Sequence, residues 1–496
     1  MKYISTRDKS VNLTAAQAIL QGLSRDGGLL IPDEFPTLTL EDIGQLAPLS
    51  YPQRSAQIMS LFLEDYSTGE LAKFTREAYG SEKFDDGEAA PIKQVGDNFF
   101  MELWHGPTSA FKDIALQMLP RLLSAGLEKT GEKRDVCILV ATSGDTGKAA
   151  LEGFCDVDRT KIMVFYPRDG VSDIQKLQMM TQEGENVGVC SVLGNFDDAQ
   201  TGVKEIFNDA ELREELDRAG VFLSSANSIN WGRLLPQISY YISAYCDLVN
   251  GGAIEPGDKI NFCVPTGNFG NILAGYFARK MGLPVNKFIC ASNRNDVLTD
   301  FIKTGTYDRN REFFATTSPS MDILISSNLE RLLFDLSDGD DGLVATYMRS
   351  LSDSGVYTID GRMQLKLRSV FECGSVDDER TKALIGELFN ETGYLMDTHT
   401  AVAYGALADY RAESGDETPT VILSTASPYK FADAVLEAVG GSAPEGDGFA
   451  QLEALEAIEK SSAPAPLKGL RGKQIRFNDV TEKDAMLGVV RGVLKK

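Results

Sequence analysis

The amino-acid sequence predicts an α/β protein built on parallel, doubly wound sheets. Strand-like runs alternate with helical stretches over much of the chain, which is typical of parallel strands with helices packed on both faces. The predicted strands are 136–141, 161–166, 187–192, 221–225, 259–264, 287–291 and 418–423. Two of them run directly into glycine-rich turns that open helices. The length of 496 residues, of which 43% are hydrophobic, allows two or three domains with cores of their own.

The composition excludes several classes of partner. Lys and Arg total 49 against 72 Asp and Glu, a net charge of −23, so neither nucleic acid nor an anionic membrane is expected to bind. No apolar run reaches the length of a membrane span, and seven cysteines fit a reducing cytoplasm better than a disulfide framework. Two histidines and no Cys-x-x-Cys pair predict no metal site. The strong charge favours a monomer, with a dimer left open.

The lysine at position 112 is the first candidate for chemistry. It lies in the segment 105–113, His-Gly-Pro-Thr-Ser-Ala-Phe-Lys-Asp, between a predicted strand at 98–104 and an apolar helix at 114–123. A lysine beside the positive end of a helix, partly desolvated by Phe111, loses proton affinity, as an amine nucleophile requires. The alternative is a solvated lysine in the first turn of a helix.

Two glycine-rich turns are candidates for binding anions. The turn at 142–147, Thr-Ser-Gly-Asp-Thr-Gly, offers N–H groups and small hydroxyls to a carboxylate or a phosphate but does not fit the P-loop pattern. Ordinary turn chemistry is its alternative. The turn at 267–271, Gly-Asn-Phe-Gly-Asn, offers similar donors to a phosphate and differs from the dinucleotide-binding fingerprint.

A third segment combines an arginine with two small polar residues. The run 227–233, Asn-Ser-Ile-Asn-Trp-Gly-Arg, follows a predicted strand and opens a long helix. A helix N-terminus, two side-chain donors and a guanidinium group together are suited to a dianion. Taken alone, the segment also fits a helix that Asn227 caps, with Arg233 in solvent.

In their order along the chain, these motifs resemble those of long-form threonine synthases, within the fold-type II pyridoxal-phosphate enzymes that share the tryptophan synthase β fold. The opening segment at 16–29 resembles the same family. The resemblance implies pyridoxal 5'-phosphate as cofactor, covalently attached to the catalytic residue Lys112. It implies a cofactor site made of Lys112, Phe111, Asp145, Gly267, Asn268, Phe269, Gly270, Asn271 and Thr425. It implies a substrate site made of Thr142, Ser143, Thr146, Asn227, Ser228 and Arg233.

The resemblance also implies what these residues contact. The 267–271 turn holds the cofactor phosphate, and the hydroxyls of the 142–147 turn hold the α-carboxylate of the substrate. Asp145 occupies the position at which many relatives place an asparagine against the cofactor's ring hydroxyl. Thr425, or Ser424 in its place, contacts the pyridine nitrogen. Asn227, Ser228 and Arg233 hold the γ-phosphate of the substrate.

The implied activity is the conversion of O-phospho-L-homoserine and water to L-threonine and phosphate, the last step of threonine biosynthesis. Two alternatives stay open: another fold-type II enzyme, such as a serine/threonine dehydratase or an O-phosphohomoserine phospholyase, and a non-catalytic phosphate-ligand-binding protein. The expected domains are an N-terminal domain at 1–95, a large cofactor-binding domain at 96–134 and 226–496, and a small α/β domain at 135–225. The roles of His105 and His399 and of residues 440–496 stay open.

Overall fold

The computed structural model describes residues 1–142, 144–168, 171–442 and 447–494. Within these ranges the strands form two mainly parallel sheets, a small antiparallel sheet and an antiparallel pair of strands that are distant in sequence. No helix in the same ranges combines the length and the apolar composition that crossing a membrane requires.

The larger sheet is parallel except at one edge. Its described strands, in spatial order, are Phe371–Ser375, Val285–Ser292, Ile260–Pro265, Thr420–Ser424, Asn98–Glu102 and Ile92–Val95. The last pair is antiparallel, and every other neighbouring pair is parallel. Strand Ile260–Pro265 is buried along its whole length, since helices cover both faces of a parallel sheet.

The smaller sheet is parallel throughout. Its described strands, in spatial order, are Val480–Glu482, Val187–Leu193, Thr160–Pro167, Asp135–Ala141 and Val221–Ser224. The sequence prediction assigned residues 226–496 to the domain of the larger sheet, and for Val480–Glu482 this is wrong because that strand pairs with Val187–Leu193. A strand of three residues, two of them exposed, carries no apolar pattern that reveals which sheet it joins. The other domain boundaries stay a prediction.

The remaining strands are short. Asp8–Leu13, Tyr3–Ser5 and Leu30–Pro32 form the antiparallel sheet, and Thr306–Asp308 pairs with Val356–Thr358.

The described helices alternate with the strands and flank both parallel sheets. The α-helices are Ala15–Gln21, Leu40–Leu46, Tyr51–Ser60, Thr68–Tyr79, Lys112–Thr130, Asp145–Phe154, Asp173–Met180, Phe196–Asn208, Ala210–Arg218, Trp231–Asn250, Gly270–Met281, Val297–Thr304, Leu329–Leu336, Asp341–Asp353, Gly361–Val370, Asp378–Thr392, Thr398–Ser414, Ala432–Ala438, Gly448–Glu459, Ala465–Lys468 and Met486–Leu494. The 3-10 helices are Asp85–Gly87, Pro319–Met321, Pro428–Phe431 and Lys483–Ala485.

The topology of the larger sheet brings three of the sequence motifs together at the carboxyl ends of its strands. Strands Ile260–Pro265, Thr420–Ser424 and Asn98–Glu102 are parallel neighbours, so their carboxyl ends lie side by side. The chain leaves these ends into the 267–271 turn, Thr425 and the segment that leads to Lys112. Open α/β sheets bind their ligands just beyond these carboxyl ends.

The N-terminal hairpin is attached to the rest of the molecule by a buried ion pair. Arg7 Nε lies 2.8 Å from Glu330 Oε1 and Arg7 Nη2 lies 2.7 Å from Oε2, a two-pronged contact. Thr6 Oγ1 donates a further hydrogen bond of 2.6 Å to Glu330, whose side chain is only 4% exposed. Glu330 lies in the first turn of the Leu329–Leu336 helix, close to the site described below.

Arg7→Ala is expected to lower the free energy of unfolding by about 2 kcal/mol, because it leaves the Glu330 carboxylate buried without its cation. The midpoint of denaturant unfolding measures this loss. Lys9→Ala is the matched control, since the Lys9 side chain is exposed and contacts only the Gly339 carbonyl among the described residues, so its cost is expected to stay below about 0.5 kcal/mol. Equal midpoints for the two variants would contradict the prediction.

Candidate active site

A backbone contact brings the Lys112 segment against the end of strand Thr420–Ser424. The Phe111 N–H donates to the Thr425 carbonyl at 2.9 Å, and the Ser427 N–H donates to the Ser109 carbonyl at 3.1 Å. Between them, Ala110 and Ala426 form an antiparallel bridge. Thr425 is therefore held beside Lys112, although 313 positions separate the two along the chain.

The Lys112 side chain is nearly buried at the start of its helix. Its side chain is 11% exposed, and Nζ lies 3.3 Å from Ser320 Oγ, 4.0 Å from Asp145 Oδ2 and 5.9 Å from the centroid of the Phe111 ring. Burial lowers the pKa of the Lys112 ammonium group to about 8; the Asp145 carboxylate opposes this shift, and two neighbouring cations add to it. About a tenth of Lys112 is thus a neutral amine at pH 7, far more than for an ordinary lysine, and the neutral amine is the form that a nucleophile or base requires.

Asp145 lies between two lysines. Its Oδ1 is 2.6 Å from Lys430 Nζ and accepts a hydrogen bond of 2.8 Å from Gln175 Nε2, while Oδ2 faces Lys112. Burial alone would raise the pKa of Asp145, but the ammonium groups of Lys430 and Lys112 outweigh it and hold the pKa below its usual range. Asp145 is therefore an ionised carboxylate. Gln175 and Lys430 belong to no motif and were missed by the sequence analysis.

The 267–271 turn has the geometry of an anion site. Phe269 is buried with φ of +62°, and it precedes the Gly270–Met281 helix, whose first N–H groups point out of the turn. Asn271 Oδ1 accepts a hydrogen bond of 2.9 Å from Tyr241, whereas its buried Nδ2 has no partner among the described residues. A buried donor without an acceptor, at a helix N-terminus, fits a phosphate oxygen.

Gly267 is required by the close approach of another loop. A Cβ atom at this position would lie 2.7 Å from the Ser320 carbonyl oxygen, too near for any side chain. The same loop brings Ser320 Oγ to Lys112 Nζ. The loop that contains Ser320 thus joins the turn to the lysine, a contact that only the tertiary structure reveals.

The 142–147 turn is held together by one hydroxyl. Thr142 Oγ1 accepts hydrogen bonds from the Gly144 N–H at 3.0 Å and the Gly147 N–H at 2.9 Å, so it stabilises the start of the Asp145–Phe154 helix. Thr146 is half-buried in the first turn of that helix. Ser143 lies outside the described residues.

Arg233 is a buried cation without a carboxylate partner among the described residues. It is 5% exposed, and its Nη1 donates to the Ala226 carbonyl at 2.6 Å. Burial lowers the pKa of the guanidinium group to about 10, so it stays charged at neutral pH. Asn230, rather than Asn227, caps the Trp231–Asn250 helix, because its Oδ1 accepts from the Gly232 N–H at 2.9 Å.

Asn227 and Ser228 lie in the loop just before this helix. Asn227 is exposed, and only its main chain forms hydrogen bonds with described residues. Ser228 is half-buried, and its Oγ accepts a hydrogen bond of 3.0 Å from Asn328 Nδ2. Of the three residues, Arg233 and Ser228 thus have fixed surroundings, and Asn227 is free to approach a ligand.

Asn328 connects this loop to the 267–271 turn. Its amide donates to Ser228 Oγ and, at 3.1 Å, to the Asn268 carbonyl, and its own Oδ1 accepts from the fully buried Arg331 at 2.6 Å. A Cβ atom on Gly270 would lie 3.3 Å from Ser228 Cβ, so the two anion sites adjoin each other.

The two histidines support the site without reaching it directly. His399 Nε2 accepts the Ser320 N–H at 3.1 Å, so its Nδ1 carries the proton and donates to Asp397 at 2.9 Å. His105 Nε2 lies 2.9 Å from Glu102. His399 therefore orients the loop that carries Ser320. His105 stabilises the segment before Lys112 through its contact with Glu102.

The end of strand Thr420–Ser424 carries two hydroxyl groups, which differ in whether protein groups already occupy them. Ser424 Oγ is buried and already contacts Trp104 Nε1 at 3.1 Å and Thr400 Oγ1 at 3.3 Å. Thr425 Oγ1 forms no hydrogen bond with any residue in the described ranges. Thr425 is thus the better candidate for contact with a ligand. In the same ranges, no group of three or more His, Cys, Asp or Glu side chains is arranged to hold a metal ion.

Comparisons with known proteins agree with this geometry. Family models match the chain as "Threonine synthase N terminus" at residues 2–79, "Pyridoxal-phosphate dependent enzyme" at 90–426, and "Threonine synthase, C-terminal" at 400–490. The fold and the site define a pyridoxal-phosphate-dependent enzyme of fold type II. Threonine synthase of Pseudomonas aeruginosa is 41% identical over 446 residues, 90% of this chain and 92% of the relative. The chain belongs to the threonine synthase family.

Two further relatives extend this result. The crystal structure of pyridoxal-phosphate-bound threonine synthase from Brucella melitensis superposes with a TM-score of 0.88 at 38% identity, with all of both chains covered. Human threonine synthase-like 1 is 42% identical over 436 residues, 86% of this chain, and the match spans 58% of the human protein's length. The predicted fold class and the predicted cofactor, pyridoxal phosphate, are confirmed, and the family match extends into the C-terminal segment that the sequence analysis left open.

Asn271→Ala is expected to weaken the binding of pyridoxal phosphate about tenfold, or ~1.4 kcal/mol, because the phosphate loses one buried donor. An absorbance titration of the cofactor-free protein measures the dissociation constant. Tyr241→Phe is the control, since it removes a hydrogen bond to Asn271 Oδ1 and keeps the Nδ2 donor. An alanine variant that binds the cofactor as tightly as the native protein would rule out a contact between Asn271 and the phosphate.

Proposed function

We propose that the protein converts O-phospho-L-homoserine and water into L-threonine and inorganic phosphate. The observation that carries this proposal is the buried Arg233 guanidinium group, which has no carboxylate partner in the described part of the chain. Ser228, in the same segment, adjoins the cofactor turn. An unpaired buried cation costs free energy unless a ligand supplies the anion. A substrate phosphate, carrying about two negative charges, is the ligand that this position favours.

Two groups of residues around the cofactor bind the two charged ends of the substrate. Arg233, Ser228 and Asn227 bind the γ-phosphate, while the hydroxyls and N–H groups of Thr142, Ser143 and Thr146 bind the α-carboxylate. Because the substrate is bound at both its γ-phosphate and its α-carboxylate, its α-carbon and β-carbon are oriented towards Lys112.

Lys112 moves the protons of the reaction. Its Nζ, whose pKa is lowered by burial to about 8, removes the α-proton and later returns a proton to carbon. When bound, pyridoxal phosphate supplies an electron sink that stabilises negative charge on the substrate carbons. Arg233 stabilises the charge on the phosphate as it leaves.

The remaining predicted residues hold the cofactor in place. The 267–271 turn binds its phosphate, with Asn271 Nδ2 as one donor. Thr425, beside Lys112, donates to or accepts from the pyridine nitrogen, and Asp145 faces the ring hydroxyl. Phe111, whose ring centroid lies 5.9 Å from Lys112 Nζ, shields the amine from water.

The proposal is tested by incubating the protein, loaded with pyridoxal phosphate, with O-phospho-L-homoserine and measuring both products. Equal amounts of phosphate and threonine are expected. Phosphate together with 2-oxobutanoate would make the protein a phospholyase, because water would not have been added at the β-carbon. Absence of phosphate release would overturn the assignment of the substrate, and a protein that binds the substrate without turnover would be a binding protein.

We also propose that the protein acts as a monomer in the cytoplasm. All seven cysteines, which lie within the described ranges, are unpaired, as expected in a reducing compartment. The net charge of −23 disfavours self-association. Sedimentation velocity at micromolar protein concentration distinguishes a monomer from a dimer.

A further inference from the structure

Lys430 is a fully buried cation near the site, and none of the motifs includes it. Its side chain is 0% exposed, within the 3-10 helix Pro428–Phe431 that follows Thr425. Nζ donates to the Thr108 carbonyl at 2.9 Å and lies 2.6 Å from Asp145 Oδ1. A lysine is rarely buried completely unless it is paired, so its counter-ion is Asp145.

The arrangement around Asp145 is asymmetric. Oδ1 is saturated by Lys430 and by Gln175 Nε2, whereas Oδ2 is 4.0 Å from Lys112 Nζ, beyond hydrogen-bonding distance. The charged groups that face Lys112 are Asp145, Lys430 and Arg233, and those that face Lys430 are Asp145 and Asp113. One carboxylate is thus shared unequally between two lysines, and Lys430 has the closer contact.

We propose that Lys430 is a positioning residue: it serves as the counter-ion of Asp145 and so prevents that carboxylate from holding Lys112 as an ammonium group. The pair Asp145–Lys430 carries no net charge, so the carboxylate acts on Lys112 much less strongly than an unpaired anion would. Without Lys430, Lys112 would become the only cation in contact with a buried carboxylate, which would stabilise its charged form. The inference rests on the proposed role of Lys112 but not on the identity of the substrate.

The experiment measures the protonation of Lys112 without using substrate or turnover. The full-length protein, freed of cofactor, is labelled with trace acetic anhydride at a series of pH values, and acetylation of the Lys112 peptide is quantified by mass spectrometry. Only the neutral amine reacts, so the midpoint of the labelling curve reports the pKa of Lys112, about 8 in the native protein. Lys430→Met is expected to raise this midpoint by about one to two pH units.

Two variants at position 145 complete the test. Asp145→Asn removes the only anion that faces Lys112 within the described residues, so the midpoint is expected to fall below that of the native protein. The double variant D145N/K430M removes both charges and is expected to return the midpoint towards the native value. A role of Lys430 in folding alone would not produce shifts of opposite sign that cancel in the double variant.

Lys148→Met is the matched control. Lys148 is also buried, on the same helix as Asp145, but it pairs with Glu152 at 3.2 Å and does not contact Asp145. It is expected to leave the Lys112 midpoint unchanged. A Lys430→Met midpoint equal to the native one would overturn the proposal. If that variant does not fold, equal midpoints for D145N and D145N/K430M overturn it instead, because Lys430 would then exert no influence on Lys112.

Discussion

Lys112→Ala is expected to lower the rate of threonine formation by at least about 10³-fold, because one substitution removes both the proposed point of covalent attachment of the cofactor and the proposed base. The protein should still fold, since the helix of Lys112 begins on backbone hydrogen bonds that the substitution leaves in place, from the Asp113 N–H to the Ala110 carbonyl and from the Ile114 N–H to the Phe111 carbonyl. Mass spectrometry after borohydride reduction gives an independent readout: a cofactor adduct on the Lys112 peptide in the native protein and none in the variant.

The pH dependence supplies a second check on Lys112. Its pKa is lowered to about 8, so the neutral amine becomes the major form as the pH rises through that value. The rate at which the cofactor-free protein takes up pyridoxal phosphate should therefore increase up to about pH 8 and then level off. A rate that keeps rising to the pKa of an ordinary lysine, or an alanine variant with native turnover, would show that Lys112 is not the reactive amine.

Arg233→Ala is expected to reduce kcat/KM for O-phospho-L-homoserine by about 10²- to 10³-fold, the loss that follows when a buried charge partner of a ligand is removed. The effect should be specific to the phosphate. Affinity for pyridoxal phosphate is expected to change little, because the proposed site of the cofactor phosphate is the separate 267–271 turn. Steady-state kinetics and cofactor titration measure the two quantities.

The product L-threonine is the control for this variant, since it carries the same α-carboxylate and amine but no phosphate. Its binding, followed by the change in cofactor absorbance, should be nearly the same in the native protein and in Arg233→Ala. Arg233→Lys should recover only part of the loss, because an ammonium group cannot form the two parallel hydrogen bonds of a guanidinium group. If threonine binding fell as far as substrate binding, Arg233 would support the fold of the site instead of contacting phosphate.

The candidate site was predictable wherever its residues belong to a local strand–turn–helix signal. The 142–147 and 267–271 turns each follow a buried strand and open a helix, and Lys112 begins a helix behind a turn. These signals span only a few consecutive residues. Asn227 was weighed as a helix cap from the same kind of signal, but Asn230, three residues later, forms the cap because its side chain reaches the Gly232 N–H.

Other parts of the site carry no local signal. Gln175, Ser320, Asn328 and Lys430 act on Asp145, Lys112 or Ser228 from segments that are remote in sequence, and each contact depends on where a distant loop packs. The same holds for the strand Val480–Glu482. Its pairing with Val187–Leu193 is set by the open edge of the smaller sheet and not by a pattern in its own residues.

The sequence by itself determined the α/β class, because period and turn residues act over a few neighbouring positions, and its motifs carried the family resemblance that implied the cofactor. Only the tertiary structure decided the charge balance of the site. The protonation of Lys112 depends on Asp145, Arg233 and Lys430, which three different elements bring into one buried volume. Electrostatic energies of this kind depend on the distances between the groups and on their burial, and both are set by how distant elements pack.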